Sequence, residues 1–484
     1  METDVCIIGG GIAGLTTAYL LGKSGRRVVV LEDGALASGM TGVTTAHLSN
    51  AIDDRIAEIE CWHGAAGARL AVESHGAAID LIESIVDELT IECNFRRLDG
   101  YLFCAPGDDP KILEEELAAA QRAGLDDAEL VRRAPLEHDT GPAIRFPRQA
   151  RFEPLKYLAA VARAIKSQGG KIYGHSHADQ VAGGDSGRVE VGPHAVDCRA
   201  IVVATNSPIN DLVALHTKQA PYMTYAIGAR VPRGSVEDAL YWDTLKAYHY
   251  VRLQEVESEE GEAADYDLLI VGGEDHKTGQ ADDAHRRHAR LEAWARAEFP
   301  SIQKIEFKWG GQCMETIDGL AFIGRNPLDE ENVFVVTGDS GMGITHGTIA
   351  GMLLTDLICG RENPWAKLYD PARKSLAAAG NFLQENVNVA TKYAEWLTPG
   401  EVDSVDEIEP GCGAILRRGF TKVAVYRNQN GTCRELSAVC PHLGCIVHWN
   451  QAETTWDCPC HGSRFSSDGK VINGPANSDL SPAK

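Results

Sequence analysis

The sequence predicts a parallel α/β domain carrying an inserted antiparallel sheet, followed by a small all-β domain. Three observations predict it. The first 32 residues read as strand, glycine loop, helix, strand and acid. Residues 222–274 hold strand-like runs separated by polar turns. From residue 398 helical spacing gives way to short strands broken by Pro, Gly and Asn, over about 85 residues, near the size of an independent domain.

The opening unit is the most informative. Residues 4–9 (Asp-Val-Cys-Ile-Ile-Gly) are a short apolar run bounded by glycine, the pattern of a buried parallel strand. It leads into Gly9-Gly10-Gly11-Ile12-Ala13-Gly14 and an Ala- and Leu-rich helix to about Gly25. A second apolar run, 28–31, ends in Glu32 and Asp33. Gly9 allows the tight turn, Gly11 a close approach to a pyrophosphate, and Gly14 close packing of helix on strand. The helix N-terminus offers N–H groups to the phosphates, and Glu32 stands where a carboxylate takes a ribose hydroxyl. This is a Rossmann-type dinucleotide fingerprint.

The next elements follow in order. Residues 39–46 are small and hydroxyl-rich, a loop suited to folding over a cofactor through Thr41 and Thr45. Helices are expected over 65–89, 109–124 and 155–168, with paired strands in 94–105 around Asp99-Gly100. Strands follow at 171–173, 189–191 and 201–206, the last ending in Ala204-Thr205-Asn206. Three antiparallel strands are expected at 222–231, 248–253 and 268–272, with the acidic stretch 255–267 as a solvated loop. A helix over 282–299 carries His285 and His288, read as solvent-facing. A buried strand at 333–337 meets Gly338-Asp339-Ser340-Gly341-Met342-Gly343 and a helix over 344–359, and 375–397 reads as a helical linker.

The composition excludes several functions. Net charge is −23 with no basic block, which argues against nucleic acid and anionic membranes. No apolar run reaches the length of a membrane span, and the N-terminus lacks the pattern of a signal peptide. A soluble, cytoplasmic protein is expected. Thirteen cysteines in such a chain do not suggest a disulfide framework. Cys6, Cys61, Cys93, Cys104, Cys198 and Cys359 read as small hydrophobes.

Four cysteines cluster instead: Cys440-Pro441-His442-Leu443-Gly444-Cys445 and Cys458-Pro459-Cys460-His461-Gly462-Ser463. Four-coordinate zinc would use the same atoms. The spacing closely resembles the Rieske [2Fe–2S] pattern, whose irons take two cysteines and two histidines. That resemblance implies that Cys440 and Cys458 hold one iron and His442 and His461 the other. It also implies a Cys445–Cys460 disulfide, a Ser463 hydroxyl bonded to cluster sulfur, and a proline loop at Gly474-Pro475-Ala476. Phe465 stands where high-potential members have tyrosine, so one donor is missing and a potential below the top of the Rieske range is expected. No histidine spacing suggests the mononuclear iron of an oxygenase.

Outside the fingerprint, Gly39-Met40-Thr41, Ala204-Thr205-Asn206, residues 318–324 (Asp-Gly-Leu-Ala-Phe-Ile-Gly) and Gly338 to Gly343 occur in order. Together they resemble the glycine oxidase/D-amino acid oxidase family of FAD enzymes, over roughly residues 1–370, nearest the gamma-glutamylputrescine oxidase-like branch. The resemblance implies FAD contacts at Val181, Gly324, Gly338, Asp339, Gly341, Met342, Gly343, Ile344 and Thr345, with a helix N-terminus facing the flavin. It implies an FAD-binding domain from 1–90, 150–215 and 310–374, a substrate domain from 91–149 and 216–309, the linker at 375–397, and a Rieske domain at 398–484. A histidine tether to FAD is absent, because Val43 occupies its position. Cys313 precedes Thr316-Ile317-Asp318 at shorter spacing than the tethering cysteine of monomeric sarcosine oxidases, and is read as packed.

This family oxidises amines or amino acids at the carbon next to nitrogen. Arg96, Arg97, Tyr101, Tyr222, Tyr225, Tyr248, His249, Tyr250 and His276 are the polar candidates of the middle domain. His276, Tyr250 and Tyr225 are chosen as catalytic. Trp309 is read as lining the flavin face, and His346 as a helix-turn residue. The expected activity is amine or amino-acid oxidation with electrons leaving through the cluster, by an exposed imidazole of His442 or His461, to an external acceptor. The rivals are a reductase fed by NAD(P)H, for which no second fingerprint is visible, and an electron carrier or redox sensor. Homo-oligomerisation is left open.

Overall fold

The computed structural model describes all residues except 211–214, 258–262, 282, 376 and 484, and the backbone alone of 284 and 285. The His285 side chain and the tip of the acidic stretch therefore lie outside what is described.

A six-stranded sheet forms the first layer. Its order is Phe322–Arg325, Val333–Thr337, Ala200–Val203, Val5–Ile8, Val28–Leu31 and Lys171–Tyr173. All neighbours are parallel except the first pair. The strands Val5–Ile8, Val28–Leu31, Ala200–Val203 and Val333–Thr337 are buried at every residue. That is why they read as continuous apolar runs rather than alternating ones. The helices Ile12–Lys23 and Gly343–Ile358 cover one face, and the small sheet 180–198 packs on the other.

The second layer is a nine-stranded sheet. Its main order is Lys304–Thr316, Gln219–Pro232, Ala263–Lys277, Tyr250–Glu257, Leu240–Asp243, Arg96–Phe103, Ala143–Arg151 and His47–Leu48. Two expectations for its strands change here. Residues 94–105 form one strand, Arg96–Phe103, with its register shifting between Leu98 and Gly100. The Asp99-Gly100 signal marks a bulge, where the absent side chain admits the Trp242 ring. The acidic stretch is not one loop. Tyr250–Glu257 and Ala263–Lys277 pair antiparallel along it, with a shift between Glu255 and Glu257. The expected 65–89 helix starts at Ile56 and breaks at Gly64, whose φ is 70°.

The Asp318 loop is anchored by Arg373. The guanidinium grips the carboxylate with both ends, at 2.9 and 2.6 Å, and also donates to the Ala321 carbonyl. Both side chains are nearly dry, at 9% and 2% exposure. Removing one partner of such a pair strands the other charge, at about 3–5 kcal/mol. Arg373→Ala is expected to destabilise the protein by that order, read as a lowered denaturant midpoint.

Residues 379–397 form the helix Ala379–Lys392 and a 3-10 turn, Tyr393–Leu397. This segment bonds in both directions. Asn386 donates to Thr217 O, Tyr393 to Leu443 O, and Trp396 to Gly444 O, each at 2.9 Å. The last domain is all-β. One sheet pairs Cys412–Arg418, Thr421–Arg427 and Cys433–Ser437, and a second runs His448–Asn450, Thr455–Asp457, Arg464–Ser466 and Val471–Asn473. Among the described residues no helix is long and apolar enough to cross a membrane.

Candidate functional site

A cavity of about 900 Å³ runs between the two large sheets, at the upper end of the range for cofactor sites. At one end lies the glycine turn. Gly9, Gly11, Ile12 and Ala13 line the cavity, and Gly9 holds φ 113° against Ala204 O. Gly14 sits behind, its Cα facing the Gly9 carbonyl, so it packs the helix rather than facing the cavity. Thr41 Oγ1 accepts from Ile12 N at 3.2 Å. The Glu32 carboxylate accepts from Gly10 N at 2.6 Å and Gly34 N at 3.0 Å. Asp33, more exposed, pairs with His177 at 3.2 Å. Thr45, Ala204, Thr205 and Asn206 continue the wall.

At the other end the helix Gly343–Ile358 points its N-terminus into the cavity, where Asp339, Gly341, Met342, Gly343 and Ile344 line it. Four other sequence-selected positions do not. Gly324 faces Pro371, Gly338 backs onto Thr316, and Thr345 is buried with its hydroxyl on Met342 O. Val181 packs within the small sheet, and Ala178, three residues earlier, reaches the cavity instead. The loop-plus-helix geometry fits FAD: glycine backbone and carboxylate at one end, a positive helix terminus at the other.

The middle domain changes the choice of catalytic residues. Tyr250 lines the cavity, its hydroxyl 2.9 Å from Thr224 Oγ1. Tyr225 and His276 do not. They bond to each other at 3.0 Å with stacked rings, on the far face of the sheet beside His288. Side chains alternate along a strand, so the neighbours Thr224 and Asp275 take the cavity face. Arg96 and Arg97 pair with carboxylates at the periphery, Tyr101 stacks on Tyr241, and His249 bonds Asp243 and stacks on Trp294. Trp309 lines the cavity, its indole N–H on Val43 O. His346 does too, but its Nδ1 is held 2.8 Å from Asp339 O.

One wall of the cavity is acidic, and sequence reasoning selected only Asp339 of it. Asp53, Asp54, Asp275, Glu315 and Asp339 all face this one cavity, against Arg55 and Lys246 as its lysine and arginine side chains. Burial pushes Asp53 up to about 7, and Asp54, Asp275 and Asp339 up to about 6. The Tyr248 hydroxyl donates to Asp53 Oδ2 at 2.5 Å. Burial also raises Glu315 and the Cys313 thiol, which keeps Cys313 protonated. Asp53-Asp54, Asp275 and Glu315 come from three separate segments, so no local spacing signals that they meet.

The cluster loops meet as the motif implies. Cys440 and Cys458 approach within hydrogen-bonding reach of each other, with backbone N–H groups of His442 and Leu443 on the first and of Cys460 and His461 on the second. The His442 and His461 rings lie 5.1 Å apart. Cys445 and Cys460 are disulfide-bonded. The Cys445, Cys458 and Cys460 sulfurs also crowd within 4.8 Å, but two of them are spent on that bond. The donor set that remains, two thiols and two imidazoles, fits a Rieske cluster. Ser463 reaches Cys440 sulfur, and Ala476 N donates to its hydroxyl at 3.0 Å. Phe465 is buried and offers no donor. Ser463→Ala is expected to lower the cluster midpoint potential without loss of the EPR signal, checked by redox titration.

The imidazole edge packs against the cavity domain. His461 is 7% exposed, and both ligand rings pack against His216, at 4.9 Å for His442 and 5.7 Å for His461. Gln312, whose residue lines the cavity, donates its side-chain amide to Gly462 O at 2.8 Å. The expectation of an exposed imidazole is therefore corrected for His461, which is buried, while His442 stays half-buried, and both rings look toward the cavity domain.

Comparison with known proteins agrees with this geometry. The family model FAD dependent oxidoreductase (DAO) matches residues 4–357, and the Rieske [2Fe-2S] domain model matches residues 398–483. A putative Rieske 2Fe-2S iron-sulfur protein of Bacillus subtilis, YhfW, is 32% identical over 98% of this chain and 92% of its own. Gamma-glutamylputrescine oxidoreductase of Escherichia coli is 28% identical over 74% and 84%. Glycine oxidase of Geobacillus kaustophilus superposes with a TM-score of 0.63 at 17% identity, over 77% of this chain and 99% of that one, which shows the fold. The chain thus belongs to the FAD dependent oxidoreductase family, with a Rieske [2Fe-2S] domain following the flavin fold.

Proposed function

We propose that the protein oxidises a cationic amine at the carbon next to nitrogen and passes the electrons through the Rieske centre to an external acceptor. The observation that carries the proposal is the inward-facing cluster edge: His442 and His461 against His216, with Gln312 spanning from the cavity wall to Gly462. When bound, FAD accepts electrons in pairs and the cluster accepts them singly. An acidic cavity supports an amine over an amino acid. Asp53, Asp275 and Glu315 attract an ammonium group, and a carboxyl poised near neutrality, as Asp53 is, is suited to take its proton. Tyr248 holds Asp53 in place through its hydroxyl. A relative named for gamma-glutamylputrescine points the same way.

The test is an anaerobic titration of the protein with amines and amino acids, following flavin absorbance and cluster EPR together. Amines are expected to bleach the flavin and then raise the reduced Rieske signal. The reading fails if none bleaches the flavin while dithionite reduces both centres, and then a carrier or sensor role takes its place.

A further inference from the structure

The domain that holds the cluster also walls the FAD cavity. Val471, Asn473, Gly474, Ala476 and Asn477 line it, alongside His177, Ala178 and Asn206 of the flavin fold. The meeting point is the adenosine end, marked by Glu32 and Asp33. Asn477 Nδ2 donates to Ala178 O at 2.9 Å and to Asp179 O at 3.2 Å. His177 Nε2 reaches Asn477 O at 3.3 Å, and its other ring nitrogen pairs with Asp33. The chain Asp33–His177–Asn477 thus ties the acid end of the fingerprint to the cluster domain. Gly474 lies over Ser207 O and Ile209, so this loop sits directly on the strand end that carries Ala204 to Asn206.

We infer that residues 471–477 are part of the FAD-binding site, so that FAD binding and docking of the Rieske domain form one coupled equilibrium. Dinucleotide filling the cavity touches both domains at once and binds the docked arrangement in preference to the undocked one. By reciprocity, docking tightens FAD. The same loop reaches the cysteine–histidine loops through Ala476 N, which donates to Ser463 Oγ. Flavin loading therefore also fixes the arrangement in which His442 and His461 face His216.

The test uses the full-length protein, freed of flavin with its cluster retained, and FAD as the probe. Amide hydrogen exchange at 471–477 and across 379–397 is expected to slow on adding FAD. An Asn477→Ala protein is expected to bind FAD about tenfold more weakly, by quenching of flavin fluorescence, while its Rieske EPR spectrum stays unchanged. Unchanged exchange at 471–477 overturns the inference. So does an unchanged FAD affinity in an Asn477→Ala protein with an intact EPR signal. If that variant loses its cluster, the exchange measurement on the unaltered chain decides alone.

Discussion

Gly14→Ala is expected to yield protein purified without flavin but with its Rieske EPR spectrum intact. A Cβ at this position would overlap the carbonyl oxygen of Gly9 and press on Ile7 of the first strand. The strand is fully buried and fixed by parallel neighbours on both sides. It does not yield, so the helix Ile12–Lys23 must lift. Its N-terminus then no longer holds Gly11, Ile12 and Ala13 at the cavity wall. An affinity loss of about 100-fold corresponds to about 2.7 kcal/mol, within what overpacking costs. The cluster loops lie in a separate all-β sheet system and serve as the internal control for folding. A normally yellow Gly14→Ala protein would show that the helix is not the phosphate cradle.

The sequence carried the parts of the site that are local. The glycine turn, Glu32, the second strand–turn–helix and the two cluster loops each lie within a short stretch, and spacing alone brings their groups together. The Cys445–Cys460 bond, which the Rieske resemblance implies, joins the two loops. What spacing does not give is which face of a long strand looks inward. Tyr225 and His276 are the candidates the sequence offers, but the cavity face belongs to their neighbours Thr224 and Asp275, one residue of register away.

Juxtapositions across the chain were equally hidden. Asp53 meets Tyr248 across 195 positions of chain, and Asp275 shares a wall with Glu315 because their strands flank Gln219–Pro232 in one sheet. The direction of the cluster edge depends on how a domain at 398–483 docks, through the segment 379–397, on a surface built from Pro221, Gln312 and His216. Nothing in the motif Cys-Pro-His encodes that surface. The bulge at Gly100 shows the complementary error, where a real glycine signal was assigned to a turn because the Trp242 ring that fills its space comes from 142 positions later.

Asp53→Asn is expected to weaken binding of a cationic amine by about 100-fold and to flatten the pH dependence of amine-induced stabilisation. Burial raises the folded-state values of Asp53, Asp54, Asp275 and Asp339 to about 7, 6, 6 and 6, from 3.8. The folded protein therefore binds more protons than the unfolded chain between about pH 4 and 7. These groups contribute stability that is fully present below about pH 4 and lost as pH rises through 6 to 7, at up to about 1.4 kcal/mol per carboxyl per unit. Buried His47 and His75, lowered to about 3 and 4, act in the opposite sense below pH 6.5. Comparing the unaltered protein with Asp53→Asn cancels them. An ammonium ligand restores what ionisation removes, because it attracts carboxylate and not carboxylic acid. Calorimetry with a simple diamine should thus show a larger rise in melting temperature at pH 8 than at pH 5, and Asp53→Asn should shrink the difference. Equal rises at both pH values, or a variant that behaves like the parent, would remove Asp53 from the amine site and leave the acidic wall without a ligand role.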